Sequence, residues 1–379
     1  MEMLRKNLEI MAKNWLKIGI MTVLISVWSL SLATAVWSVD LTSPMLLGFL
    51  AQGNAITDPN AILRYALPIE NPTVRKIQAS LEDIAYQLRS KRWSAIAKDI
   101  KDANYELNLR SAKILVSIPA DRHNQAEVLL ASIKEQVGQL QEAVAAKDKE
   151  QVANLRDVAL EEIGDLEMLM VQGFPYEVPA DYANLPQLQG RATVEMKTTQ
   201  GPLTIVVDGY SAPVSGGNFI DLVQRGFYDG LPFIQTEDNF VVQTGDPDGP
   251  EVGFIDPQTK AYRAIPLEVL VKSEPLPIYE MTLEDAGLYL PELALPFNAF
   301  GAVALARPDQ DPNGGSSQFF FFKFDSELTP PGFNLMDGRY SVFGYVVKGK
   351  ETLEKLSEKD KVISAKVIAG SENLVQPQA

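Results

Sequence analysis

The residues that could carry chemistry are few in kind. There is no cysteine among the 379 residues, so thiolate catalysis, disulfides and thiol redox switching are excluded. There is one histidine, His123, in the polar run DRHNQ, which reads as a surface helix residue. A Ser-His-Asp machine or a multi-histidine metal site cannot be assembled from this inventory. The chemistry-bearing residues concentrate instead between Pro213 and Asp246, in PVSGGNFIDLVQRGFYDGLPFIQTEDNFVVQTGD. Here amides and aromatics dominate, and Gln235, Phe240 and Gln243 stand close together.

The elements that must position them are legible. Phe219, Leu222 and Val223 lie at i, i+3, i+4, one apolar helical face, and Gly226 stops the helix of 216–226. Asp229-Gly230 is a turn, and Phe240-Val241-Val242 is a short strand stopped by Gly245-Asp246-Pro247. Upstream, ATVEMK at 192–197 and LTIVVDG at 203–209 predict a hairpin turned at Gln200-Gly201-Pro202. A second helix is expected within 350–358. Downstream of Asp246 a proline- and aromatic-rich segment of 247–296 predicts a long docked loop with a short helix at Thr282–Leu288.

Residues 58–172 read as an up-down helix bundle. Asp58-Pro59 and Asn71-Pro72 are two helix starts. Ile77, Leu81, Ile84 and Leu88 form an apolar stripe, as do Ile96, Ile100, Ala103, Leu107 and Ile114. Asp121 is placed to cap a third helix striped by Ile133, Val137, Leu140 and Val144. The last stripe runs Val152, Leu155, Ala159, Leu166 and Leu169. One stripe per helix makes them the bundle's own core, with no polar constellation expected inside. Residues 173–190, GFPYEVPADYANLPQL and its close, read as an extended linker whose Phe174, Tyr176 and Tyr182 pack on something.

Residues 1–55 have Arg5, Lys6, Lys13 and Lys17 ahead of an apolar run from Ile18 to Val39. That is an export signal, either cleaved (Ala33-Thr34-Ala35 and Gly53-Asn54-Ala55 offer small-residue sites) or kept as an anchor. The net charge of -15 argues against nucleic acid or anionic lipid as partner of the folded part. Membrane contact is therefore expected only through the N-terminal segment.

Four blocks in order carry a resemblance: GNFIDLVQRGFYDGLPF, FVVQTGD, GSSQFFF at 315–321 and LMDGRYSVFG at 335–344. Over roughly residues 190–370 the chain resembles the cyclophilin-type peptidyl-prolyl isomerases. With the bundle and linker included it is similar to the thylakoid-lumen multidomain cyclophilins of cyanobacteria and chloroplasts. The resemblance implies an α+β fold of two domains: the helical bundle, then a closed eight-stranded antiparallel barrel over 191–372, with 247–296 an insertion. It implies a groove for proline-containing segments, no cofactor and no metal.

Rotation about an X-Pro bond faces a barrier of about 18–20 kcal/mol. The family lowers it with an arginine that donates to the prolyl nitrogen, an apolar pocket and peptide-holding amides. Matched to those motifs, Phe240 and Phe320 belong to the pocket, Gln243 holds the peptide, and Ala306 and Gln318 are retained peptide-binding positions. Leu335 stands where many members have tryptophan, Tyr340 where many have histidine, and Gln235 where they have the catalytic arginine. A neutral amide forms a hydrogen bond about half as strong as a charged donor. Three functions follow. One is an exported, lumenal protein that binds proline segments, photosystem II subunits among the expected partners, with weak or no isomerase activity. Another is a working isomerase of exported proteins in lumen or periplasm. The third is an interaction protein that acts through its bundle.

Overall fold

The computed structural model describes residues 56–237, 240–257, 259–324 and 334–377, with 235–237 described by their backbone alone. The export segment expected over 1–55 lies outside the described residues. Among those described, no helix is long and apolar enough to cross a membrane.

Helix α1 (Pro59–Ala66) starts where Asp58 accepts from the Asn60 N–H at 3.0 Å, with proline at its first position. Helix α2 (Pro72–Arg89) repeats the device, Asn71 accepting from the Thr73 and Val74 N–H groups. Helix α3 (Trp93–Leu109) breaks at Arg110, and a single turn, α4 (Ser111–Leu115), carries Ile114 into the core. Helix α5 (His123–Ala146) follows a 3-10 turn, Ala120–Arg122. Asp121 lies in that turn and does not cap the helix, a correction to the sequence reading. Lys147 turns left-handed, at φ 56°, and Asp148 then caps α6 (Lys149–Met170) by accepting from Gln151 N–H at 3.0 Å. The apolar stripes of α2, α3, α5 and α6 meet in one core that includes Ile77, Leu81, Ile100, Leu107, Ile133, Leu140, Ile163 and Leu166.

Two expectations about this region need correction. First, the bundle holds a buried polar cluster at its α1 side. Arg75 of α2 donates to Gln78 Oε1 at 2.8 Å and to the fully buried Glu167 of α6 at 3.1 Å. It also donates to the carbonyls of Arg64 and Leu67, closing the end of α1. Second, α1 turns its apolar residues to the sheet. Ile62 and Leu63 share a buried cluster with Phe297, Phe320, Phe322 and Tyr345. Consistent with this, Ala55–Ala379 forms one compact unit.

The linker packs as its aromatics suggested. Phe174 lies 4.7 Å from Tyr176, whose hydroxyl donates to the Tyr210 carbonyl at 3.0 Å. After β1 (Gln187–Leu188), strands β2 (Arg191–Thr198) and β3 (Gly201–Asp208) form the predicted hairpin, paired from Arg191 with Asp208 to Thr198 with Gly201. Helix α7 (Pro213–Gln224) follows. Then come β4 (Ile234–Glu237), β5 (Val241–Thr244), the short pair β6 (Glu268–Val269) and β7 (Ile278–Tyr279), β8 (Ala302–Leu305), β9 (Phe319–Phe322) and β10 (Val342–Lys348). Helix α8 (Lys350–Lys355), strand β11 (Val362–Ala369) and strand β12 (Leu374–Val375), which pairs with β1, complete the chain.

The large sheet runs β11-β2-β3-β10-β8-β9-β5-β4, antiparallel throughout. It curls but does not close as the expected eight-stranded barrel. Its outer strands β11 and β4 form no ladder. Among the described residues the chain just ahead of β4 meets the start of β11 through an isolated bridge of Pro232 with Lys361 and through three backbone bonds: Gly230 N–H to the Val362 carbonyl at 2.8 Å, Val362 N–H to the Leu231 carbonyl at 2.9 Å, and Phe233 N–H to the Asp360 carbonyl at 2.9 Å. Alternation divides its side chains between two faces. Phe319 and Phe321 point into a core built with Phe219, Val242 and Phe343. Phe320 and Phe322 point to the other face.

The 247–296 insertion is bridged to the chain outside it and to itself. Ile265 bridges to Gly315, and Val271 bridges to Leu293. Leu267, Val269, Val271, Leu283 and Leu293 bury one another in a small core. Residues 282–288 are a capped turn rather than the expected helix. Thr282 Oγ1 accepts from Asp285 N–H at 3.1 Å, and Gly287, at φ 75°, ends the turn after one round of bonds.

Candidate functional site

The site lies on the Phe320 face of the sheet, and strand register builds it. Phe320 on β9 pairs with Ala304 on β8 and with Gln243 on β5, and Gln243 pairs with Ile234 on β4. Residues in register across a sheet share a face. Ala306 lies two residues past Ala304 and bonds the Gln318 carbonyl at 2.9 Å, so Ala306, Gln318, Phe320 and Gln243 surround one patch. Of the positions matched from sequence, these four and Tyr340 are brought together.

Phe320 is the floor, only 4% exposed. Phe297, ahead of β8, stacks parallel to it at 6.0 Å, and Tyr340 meets it edge-on at 5.3 Å. Phe297 is fixed from three sides. Its N–H donates to Asp337 at 2.8 Å, its carbonyl accepts from Asn334, and the neighbouring Pro296 carbonyl accepts from Tyr345. Phe240 is 45% exposed and stacks on Phe324 at 4.6 Å, forming an apolar wall. Met336 and Val241 complete the partly buried apolar surround. Leu335 is 72% exposed and makes no part of the closed floor.

Sequence matching missed Phe297, Phe324 and Asp246. Phe324 could have been found from β9, because alternation puts residues 320, 322 and 324 on one face. Phe297 had no such signal, since its position is set by the end of an irregular insertion.

The amides form a chain. Gln243 donates through Nε2 to Gln318 Oε1. Gln318 in turn donates to Asp246 Oδ1 at 2.9 Å and to the Val252 carbonyl at 2.7 Å. Gln318 is thereby oriented by the loop after β5, and it orients Gln243. The side-chain Oε1 of Gln243 accepts from no described residue and can accept from a peptide N–H. Nearby carboxylates are engaged: Asp246 with Gln318, and Asp309 as acceptor from the Tyr340 hydroxyl at 3.3 Å.

Gln235 lies on β4 beside this patch. Ile234 pairs with Gln243 and Glu237 with Val241, so β4 has one residue more than β5 and bulges at Gln235–Thr236. Its side chain is outside the described atoms. Arg307, which lies over the Tyr340 ring that meets Phe320, follows β8. Strands β8 and β4 are separated by β9 and β5, about 14 Å at ordinary strand spacing. Arg307 therefore flanks the patch on the side opposite Gln235.

No cluster of three or more metal-ligating side chains occurs among the described residues. Chemically, the arrangement can hold an extended peptide: an apolar floor for a ring, a wall of aromatics, and amides for backbone groups. Among the described residues it pairs no nucleophile with a base.

Family comparison agrees with this geometry. Residues 58–171 match the peptidyl-prolyl cis-trans isomerase CYP38-like, PsbQ-like domain, and residues 193–371 match the cyclophilin type peptidyl-prolyl cis-trans isomerase/CLD family. A Synechocystis sp. protein named "Putative thylakoid lumen peptidyl-prolyl cis-trans isomerase" is 67% identical over 375 residues, spanning 99% of both chains. The chloroplastic CYP38 of Arabidopsis thaliana is 42% identical over 339 residues, 86% of this chain and 77% of that one. The chloroplastic CYP37 of the same plant is 32% identical, covering 83% and 70%. This chain belongs to the cyclophilin-type peptidyl-prolyl cis-trans isomerase family, within the group that carries a CYP38-like, PsbQ-like helical domain.

Proposed function

We propose that this chain is an exported, lumenal cyclophilin that binds proline-containing segments of other proteins and isomerises them weakly or not at all. One observation carries the reading. The binding frame of Phe320, Ala306, Gln243 and Gln318 is assembled on one face, while Gln235 stands at the strand position matched to the family's arginine. Without a cationic donor at the prolyl nitrogen, the transition state loses preorganised stabilisation on the order of 10²–10³ in rate. Arg307 does not replace that donor, being committed to the far side of the patch. The lumenal location is supported by the names of the relatives, and the N-terminal export pattern agrees with it. Within the lumen, the reading extends to clients exposed by photosystem II during its assembly or maintenance.

The test is a protease-coupled isomerisation assay on an Ala-Pro tetrapeptide. The native chain should stay within a few fold of the uncatalysed rate, and Gln235→Arg should raise it by at least about tenfold. A native rate typical of active cyclophilins would overturn the weak-activity reading. For the client class, deletion of the gene should slow recovery of photosystem II after photodamage, and a Phe240→Ala chain should fail to restore it. Normal recovery in the deletion would remove the photosystem role.

A further inference from the structure

Five arginines follow residue 190, and four have a carboxylate partner: Arg191 with Asp208 at 3.0 Å, Arg225 and Arg263 with Asp221 at 2.8 and 2.7 Å, and Arg339 with Glu284 at 3.1 Å. Arg307 has none within 4.0 Å among the described residues. The chain as a whole carries 49 acidic and 34 basic residues.

Its orientation is set by neutral groups. Nε donates to the Arg339 carbonyl at 2.8 Å, and Nη1 donates to the carbonyls of Pro308 and Asp309 at 2.9 and 3.2 Å. The guanidinium lies over the Tyr340 ring at 5.2 Å. Tyr340 in turn meets the floor, Phe320, edge-on. The planar fork is thus immobilised beside the pocket, and Nη2 donates to no described residue. Holding a long cationic side chain this way removes the entropy cost that usually weakens an exposed ion pair. The Asp309 carboxylate, the nearest acid in sequence, is turned to the Tyr340 hydroxyl.

We infer that Arg307 is a specificity residue: it selects proline-containing segments with an acidic side chain next to the proline. The inference rests on the reading of this face as a proline-peptide groove. A ring over Phe320 puts the adjoining residue within reach of Arg307 on the Ala306 side, away from Gln235. There the free Nη2 edge can donate to a carboxylate in a charge-assisted bond. In an otherwise acidic molecule, which repels acidic peptides in general, this fixed cation makes their acceptance local to the groove.

The experiment measures binding of Ala-Glu-Pro-Phe, Ala-Gln-Pro-Phe and Ala-Lys-Pro-Phe peptides to the full exported chain by calorimetry or NMR titration. The expected order is Glu, Gln, Lys, with Glu about fivefold or more tighter than Gln at low salt. The ratio should shrink towards one in 0.5 M NaCl and collapse to about one in Arg307→Gln, with Arg307→Lys between. Equal affinity of Glu and Gln peptides for the native chain overturns the inference and leaves the groove reading standing. So does a Glu preference that survives Arg307→Gln. If none of the three peptides binds, both the inference and the groove reading fall.

Discussion

The carboxylate of Glu268 accepts from the backbone N–H of Ser215 at 2.9 Å, and from that of Val214 at 3.2 Å. Glu268 sits on β6 in the insertion, whereas Ser215 is in the first turn of α7. That helix has proline at its start and no side-chain cap of its own from Ala212. The insertion therefore does structural work on the fold it interrupts: it supplies a cap that the local sequence lacks, its carboxyl oxygens accepting from two N–H groups at the helix start. Glu268→Ala leaves two buried N–H groups without acceptors. The expected loss is on the order of 2 kcal/mol at neutral pH, read as a lower urea midpoint. An unchanged midpoint would show that the insertion is merely draped over the helix.

The same carboxylate makes stability depend on pH. Burial pushes Glu268 and Glu167 up to about 7 and Asp337 up to about 6. For Glu167, burial outweighs the Arg75 guanidinium at 3.1 Å. A raised carboxyl binds its proton more tightly folded than unfolded. Its stabilising contribution is complete below the ordinary value of 4.5 for glutamate and is lost as pH rises through about 7. Asp221 and Asp360 act oppositely. Burial opposes their ionisation, but hydrogen bonds hold both below the ordinary range, Asp221 from Arg225, Arg263 and Gln376, and Asp360 from Thr199, Gln200 and Ser357. Their contribution is lost only as pH falls below about 4. The melting temperature should therefore be higher at pH 5.5 than at pH 7.5, and lower again near pH 3. Glu268→Gln, which fixes the neutral form, should narrow the difference between 5.5 and 7.5. A melting temperature that climbs steadily to pH 7.5 would contradict the assignment.

Much of this architecture is written in short-range patterns. The 4, 3, 4 stripes of α2 and α5 specify which side of each helix is buried, and Asp58-Pro59 and Asn71-Pro72 specify where helices begin. Alternation along β9 separates Phe320 from Phe319 correctly. What a stripe does not encode is the partner it packs on. Helix α1 looks like one more bundle helix, yet Ile62 and Leu63 cover the sheet. Long-range polar contacts are equally silent in sequence. Arg75 and Glu167 are 92 residues apart, and Asp337 fixes Phe297 from 40 residues away. Residues 282–288 show the limit of local signals: Thr282 supplies the start of a helix, but Gly287 ends it after one turn. The site residues were reached through family motifs, because an aromatic on a strand has the same local pattern whether it lines a groove or a core.

One guanidinium bridges α1 and the sheet beside the apolar contacts of Ile62 and Leu63. Arg191, the first residue of β2, pairs with the fully buried Asp208 at 3.0 Å and donates to the Leu63 carbonyl in α1. Helix α1 is bound on its other side by Arg64 to Glu82 of α2 at 2.9 Å. Arg191→Ala would strand a buried carboxylate that keeps only the Tyr210 N–H at 3.0 Å and a long contact to Ser211. Breaking one side of such a pair costs about 3–5 kcal/mol. It would also release α1 from the sheet edge while its bond to the bundle remains. Two readouts should move together: a lower denaturation midpoint, and faster protease cleavage within residues 56–71. Arg191→Lys keeps the charge for Asp208 but not the two-directional reach, so it should recover stability more than protease resistance. Unchanged cleavage in Arg191→Ala would show that the apolar contacts of Ile62 and Leu63 hold α1 in place on their own.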